Sequence, residues 1–269
     1  MMQWIVDVVG EGFGQAIEVE DILYDHHSPF QHVQVATSPR YGRMLILDDA
    51  VQTTERDEHI YHEMLVHLPM AAHPDPKRVL IIGGGDGGTL EEVLKHPVDA
   101  VTMVEIDREV IEVSRTFLPS IAGRAFDDPR TRLLITDGVA FVQHTDERFD
   151  VILVDSTDPT GPGLALFSAE FYRACATALT PRTGVLAVQS GSPLYQGDVL
   201  NLVARHLSAV FPGIAPYWAA IPSYPGTLWS FTIALRHVPP RPARPLAIPG
   251  LRYYSEVTDA AARLLPPLP

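Results

Sequence analysis

The sequence is short of cysteine, of long apolar runs and of positive charge, and each shortage removes a class of protein. One cysteine, Cys175, leaves no intrachain disulfide framework and fits a reducing compartment. It shares a helical face with Phe171, Ala178 and Leu179, where packing in a core is its natural use. No apolar stretch approaches bilayer length, and Met1-Met2-Gln3-Trp4-Ile5-Val6-Asp7 lacks the basic start and long apolar centre of a signal peptide. A soluble, cytoplasmic protein without a membrane partner is the expectation. Against 33 Asp and Glu stand 20 Lys and Arg, a formal charge of -13. That balance argues against nucleic acid and favours cationic small molecules drawn to an acidic cleft. At 269 residues the chain can bury a sizeable core, and no internal repeat is visible.

What the sequence has in excess is glycine in one place. Val79-Leu80-Ile81-Ile82 is an apolar run suited to a strand buried on both faces, and five glycines follow among residues 83–88. Thr89-Leu90 then restarts a helical pattern. Glycine allows positive φ and close approach of a ligand to the backbone, so the loop reads as a nucleotide cradle opening a helix. Gly83, Gly85 and Gly88 satisfy the dinucleotide spacing, with Glu105 and Asp107 where a ribose is usually held. Asp86, however, puts a carboxylate where a pyrophosphate would sit. Two like charges about 4 Å apart cost on the order of 4 kcal/mol at an effective dielectric near 20. The loop therefore points away from nicotinamide or flavin dinucleotides and toward a ligand carrying a cation there. The competing reading is that Asp86 only caps the following helix.

Read in order, residues 15–54 alternate in short stretches (Ala16 to Glu20, Gln31 to Val35, Met44 to Leu47), which predicts a small antiparallel β domain over 1–54. A linking helix follows over 55–72, with Ile60, Met64, Leu65 and Leu68 on one face. Strand and helix signals then alternate to 237, ending in two strands with no helix between them. This predicts an α/β, Rossmann-like, methyltransferase-type doubly wound sheet with an antiparallel edge over 55–237. A proline-rich C-terminal segment closes the chain over 238–269, and within it residues 238–249 are expected to be irregular and extended. In such sheets ligands bind beyond the carboxyl ends of the strands, where Asp86, Glu105, Asp137, Asp155, Asp158 and Gln189 are expected. His59, His62 and Glu63 raise the idea of a metal site, but no further ligands are evident and no metal is assigned.

The acidic strand ends suggest their own chemistry. Glu105 suits ribose hydroxyls, and Asp137-Gly138 an adenine amino group. Asp155 and Asp158 add two carboxylates three residues apart. A protonated amine resembling that of Lys costs about 4 to 5 kcal/mol to present neutral at pH 7, and a nearby carboxylate can take its proton as it attacks. Attack on a methylene beside a sulfonium expels a neutral thioether, so orientation and proton removal suffice without a metal or covalent intermediate.

Tyr41-Gly42-Arg43, Gln52 to Glu58, Tyr61-His62-Glu63-Met64, Leu80 to Gly88, Val104 to Asp107, Phe126 to Arg130, Asp137-Gly138, Asp155 to Pro162 and Ile221 to Pro225 together resemble the spermidine synthase (polyamine aminopropyltransferase) family, bacterial type. The resemblance implies transfer of an aminopropyl group from decarboxylated S-adenosylmethionine, a co-substrate rather than a cofactor, to a diamine, typically putrescine. It implies that Gln31, Gln52, Glu105, Asp137, Gly138 and Pro162 hold the nucleoside and that Asp86 binds the aminopropyl ammonium. Asp155 would accept the proton, assisted by Tyr61, while His62, Asp158 and Tyr224 position the diamine. A homodimer or homotetramer is implied as well. Departures cluster on the acceptor side: Gly163-Leu164 stands where many relatives have a small residue followed by Glu, Gly191 where many have Glu, and Ser223 replaces a threonine. Cadaverine, agmatine or spermidine therefore compete with putrescine as acceptor. An ordinary methyltransferase and a non-catalytic polyamine-binding protein are the other readings.

Overall fold

The computed structural model describes residues 3–9, 11–237 and 245–264, with the side chain of Pro162 outside that description. β1 (Gln3–Val8) and β2 (Gly14–Val19) form an antiparallel hairpin. β3 (Asp21–His27), β4 (His32–Ser38), β5 (Gly42–Leu47) and β6 (Ala50–Thr54) form a second antiparallel sheet in chain order. Asp48 and Asp49, both at positive φ, make the two-residue turn that suits the twist of β5 and β6. Three of these strands escape the sequence pattern. β3 is almost wholly exposed and has no alternation. β1 is inverted, with Trp4, Val6 and Val8 facing out and Asp7 buried. β6 is short.

α1 (Glu58–Ala72) departs from its expected single apolar face: every residue from Tyr61 to Ala71 is buried, His62, Glu63 and His67 included, while Ile60 is only partly covered. The polar residues are tolerated because each has partners. The Glu63 carboxylate accepts the backbone N–H groups of Arg252, Tyr253 and Tyr254 at 2.7, 2.8 and 2.6 Å, tying down the C-terminal stretch.

The rest alternates: β7 (Arg78–Gly83), α2 (Gly88–Leu94), β8 (Ala100–Glu105), α3 (Arg108–Phe117), α4 (Pro119–Ala122), β9 (Thr131–Ile135), α5 (Gly138–His144), β10 (Val151–Asp155), α6 (Ala169–Ala178), β11 (Val185–Gln189), α7 (Gly197–Ser208), β12 (Gly213–Ala220), β13 (Leu228–Leu235) and α8 (Glu256–Ala262). The sheet order is β12-β13-β11-β10-β7-β8-β9. β7 to β11 run parallel, and β13 is antiparallel to both neighbours, as the helix-free connection predicts. Odd and even residues of β7 enter different cores. Val79 and Ile81 pack with Met103 and Leu153, Leu80 and Ile82 with Val104 and Ile152, which is why the strand is apolar without a break. Cys175 lies fully buried in the second core. The irregular segment expected over 238–249 is irregular at 245–249, and residues 238–244 lie outside the described residues. α8 has a Ser255–Thr258 capping box that the sequence reading passed over.

Strand order reverses direction at β7, with β8 on one side and β10 on the other. The crevice at that switch point is where the glycine loop emerges.

Candidate active site

The glycines of the loop do something the sequence reading did not anticipate: they make room for the protein's own side chains. A Cβ on Gly84 would lie 2.9 Å from Asp155 Oδ2, and one on Gly88 would lie 2.2 Å from the His62 ring. The first amide of α2 is also not left for a ligand, because Asp86 Oδ1 accepts from the N–H of Gly88 at 2.9 Å. Asp86 is therefore a cap, but not only a cap. Its other oxygen lies 3.3 Å from His62 Nε2, and His62 Nδ1 lies 2.9 Å from Glu58 Oε2. Burial alone would strip the imidazole of its proton, but the carboxylates of Asp86 and Glu58 on either side raise its pKa well above the ordinary value. Burial likewise works to raise Asp86, yet the imidazolium and the Gly88 amide hold it below the usual carboxylate range.

One side chain further into the crevice, Asp155 accepts from the Tyr61 hydroxyl at 2.8 Å and from Thr89 Oγ1 at 2.6 Å. Burial and then the nearby negative charge of Asp86 push its pKa upward, against the opposing pull of His62 and the two hydroxyls. Tyr61 is buried beside it and stays a hydroxyl, its pKa driven well above the ordinary value first by burial and then by Asp155. Around this pair lies a cavity of about 340 Å³, within the usual range for small-molecule sites. Gln31, Gln52, Tyr61, His62, Asp86, Glu105, Asp137, Gly138, Asp155, Asp158 and Tyr224 all line it. Pro162 is the one expected site residue whose side chain lies outside the described residues.

The residues are held individually. Gln31 Nε2 donates to Asp107 Oδ2 at 3.0 Å, and the Tyr224 hydroxyl donates to the Gln52 carbonyl at 2.6 Å. Asp137 Oδ1 caps α5 through the N–H of Val139 at 2.7 Å. Asp158 Oδ2 accepts from Gln196 Nε2 at 2.7 Å. The Tyr224 ring stands edge to face with Trp229, and the Tyr61 ring is tilted against those of Tyr224 and Phe231.

Residues 58–241 match the family model described as the spermine/spermidine synthase domain, and residues 3–55 match the spermidine synthase tetramerisation domain. The chain belongs to the spermidine synthase family. A polyamine aminopropyltransferase of Desulforudis audaxviator is 42% identical over 269 residues, covering 99% of this chain and 97% of the relative. That of Bacillus subtilis is 40% identical, covering 98% and 96%. Among solved structures, a spermidine synthase in complex with the transition-state analogue AdoDATO superposes with a TM-score of 0.93 at 39% identity, covering 98% of this chain and 92% of the other. The spermidine synthase from Thermotoga maritima gives 0.90 at 37%, covering 98% and 91%. The chain is thus an enzyme of the aminopropyltransferase type, and the resemblance carried by its motifs extends through the fold. Among the described residues no helix is long and apolar enough to cross a membrane.

Within this spermidine synthase fold, several cavity or supporting residues had no signal in the sequence reading. Asp7 arrives on the inverted strand β1, where its carboxylate accepts the Val51 N–H at 3.0 Å. Thr89 and Glu58 stand inside longer motifs with no signal of their own, and Trp229 lines the cavity from β13. The supposed His59, His62 and Glu63 ligands do not converge: Glu63 is turned to the C-terminal backbone and His62 to Asp86. A different trio, His62, Asp86 and Asp155, gathers within 4.8 Å.

Glu105 gives a test of how far the site is built against stability. Its pKa is pushed up to about 7, chiefly by burial and against the Asp107 N–H bond to its Oε1. A carboxyl whose folded pKa lies above its unfolded value near 4.5 contributes stability that is full below 4.5 and is lost as pH rises through 7. Above that, the ionised group costs on the order of 3 kcal/mol. Glu105→Gln is therefore expected to raise the unfolding midpoint in urea at pH 8 and to leave it unchanged at pH 4.5. A gain of equal size at both pH values would contradict this account of burial.

Proposed function

We propose that this protein transfers the aminopropyl group of decarboxylated S-adenosylmethionine to putrescine, giving spermidine and methylthioadenosine. The observation that carries the reading is Asp155, fixed by Tyr61 and Thr89 within reach of the Asp86–His62 ion pair and facing a cavity of substrate size. Each oxygen of Asp155 accepts one hydroxyl and keeps capacity for another donor, so it can receive a proton from an incoming ammonium. The freed amine lone pair attacks the methylene carbon bonded to sulfur, the carbon–sulfur bond breaks toward sulfur, and a neutral thioether departs. Glu105 and Asp137 hold the nucleoside with Gln31, Gln52, Gly138 and Pro162, while Asp86 receives the donor's ammonium. Asp158, His62 and Tyr224 position the diamine. The crystal complex of a relative with AdoDATO supports the co-substrate.

The match of residues 3–55 to a tetramerisation domain supports assembly as a homodimer or homotetramer. Trp4, Val6 and Val8 on the outer face of β1, 52%, 53% and 69% exposed, offer a surface for a second copy.

The deciding measurement is methylthioadenosine formation from the decarboxylated donor with putrescine, cadaverine, agmatine and spermidine in parallel. Putrescine is expected to give the highest kcat/KM. Higher efficiency with another amine moves the acceptor assignment, and no product with any of them removes the transferase reading.

A further inference from the structure

Asp158 lines the cavity from the segment after β10, and a residue outside the cavity holds its carboxylate. Gln196 is buried, does not line the cavity, and has both ends of its amide engaged: Nε2 donates to Asp158 Oδ2 at 2.7 Å, and Oε1 accepts the Ser192 N–H at 2.9 Å. The loop between β11 and α7 that carries it is itself tied down. Gln189 Oε1 accepts the Gly191 N–H at 2.9 Å, the Gly191 carbonyl accepts from both the Ser230 N–H and its hydroxyl, and Ser192 O accepts the Gln196 N–H at 2.8 Å. The space for the amide exists because residue 191 is glycine. Gly191 has a φ of 72°, and a Cβ there would stand 2.7 Å from Gln196 Oε1. Any side chain at 191 must displace the far end of Gln196, the end that sits on Asp158.

We infer that Gln196, admitted by Gly191, is the positioning residue that aims the Asp158 carboxylate and keeps it charged for the acceptor amine. The inference rests on the transferase reading above. The groups facing Asp158 are otherwise unhelpful to its charge. Asp7 on β1 stands close enough to repel it, Asp155 lines the same cavity at the end of β10, and Tyr224 between β12 and β13 is a neutral hydroxyl. Burial raises the Asp158 carboxyl, and the bond from Gln196, with a lesser pull from the nearby Gln189 amide, opposes it. Asp7 is itself pushed up to about 6, first by burial, so near neutrality the charge at this end of the cavity depends on which carboxylate is kept ionised.

Three variants separate a positioning role from a structural one. Gln196→Leu removes the amide, Gly191→Ala evicts it while leaving residue 196 in place, and Gln196→Glu sets a second carboxylate against Asp158. In steady-state assays following methylthioadenosine, the first two are expected to raise the amine KM about tenfold at pH 7. The donor KM and kcat at saturating amine should stay within about twofold. The loss should shrink as pH rises to 9, because a carboxyl deprived of its donor ionises at higher pH. Gln196→Glu should shift the profile further in the same direction. An unchanged amine KM in a folded variant, or a loss of the same size at every pH, overturns the inference while leaving the transferase reading intact. If the parent enzyme makes no methylthioadenosine with any amine, both fall. Should the leucine variant fail to fold, the alanine and glutamate variants carry the same test.

Discussion

Asp155→Asn should lower kcat by about a thousandfold while leaving donor binding within a factor of a few. The amide keeps the shape and still accepts one hydroxyl, so the cavity and its Tyr61 and Thr89 contacts persist in part. What it cannot do is take a proton, and general-base contributions of this kind are worth about 10² to 10⁴ in rate. The pH profile sharpens the test. In the native site the Asp155 carboxyl is raised by burial and by Asp86, so the fraction of active base grows as pH increases through that pKa. The acid limb of kcat/KM should therefore lie above the pH of an ordinary aspartate and vanish in the asparagine variant. A variant that retains parental turnover would remove Asp155 from the chemistry. A limb that survives the substitution would assign that titration to another group, with Asp158 and Glu105 the first to examine.

The second large effect concerns the choice of donor. A carboxylated S-adenosylmethionine would bring its acid group against Asp86, at a cost of roughly 4 kcal/mol if nothing relieved it. The structure supplies relief, because the His62 imidazolium stands 3.3 Å from the same carboxylate. Discrimination of about a hundredfold in favour of the decarboxylated donor is the expected result, smaller than the thousandfold of an unpaired aspartate. Asp86→Asn should weaken the decarboxylated donor and bring the two ligands within about tenfold of each other, read by calorimetry with both. Unaltered preference in the asparagine variant would place the source of selectivity elsewhere. The substitution also leaves His62 with Glu58 as its remaining carboxylate partner at Nδ1, so a fall in the imidazole pKa, visible by NMR, should accompany the change.

Most of the central sheet was legible because its signals are local. Uninterrupted apolar runs mark strands covered on both faces, glycines mark the turn, and acidic residues mark strand ends. The sequence readable in this way also gave the cavity, since eleven of the expected ligand residues line it. What was not legible depends on long-range contact. The burial of α1 on every side could not be read from its pattern, because His62, Glu63 and His67 are acceptable in a core only when partners up to 191 positions away are supplied. β1 was hidden for a similar reason: its apolar residues face outward and its aspartate inward, the reverse of an isolated sheet. Asp86 shows the limit within a motif. Its place in the loop was plain, but the imidazolium beside it comes from another element, and that neighbour changes the magnitude of the argument built on it.

Tyr61, His62 and Glu63 are consecutive on one buried helix and reach in three directions, to Asp155, to Asp86 and to the backbone of residues 252–254. Each added residue in a helix turns everything beyond it by about 100°. A single-codon insertion just ahead of Tyr61 would therefore break the contacts to Asp155, to Asp86 and to the tail in one event. In an insertion scan this three-residue window should tolerate nothing.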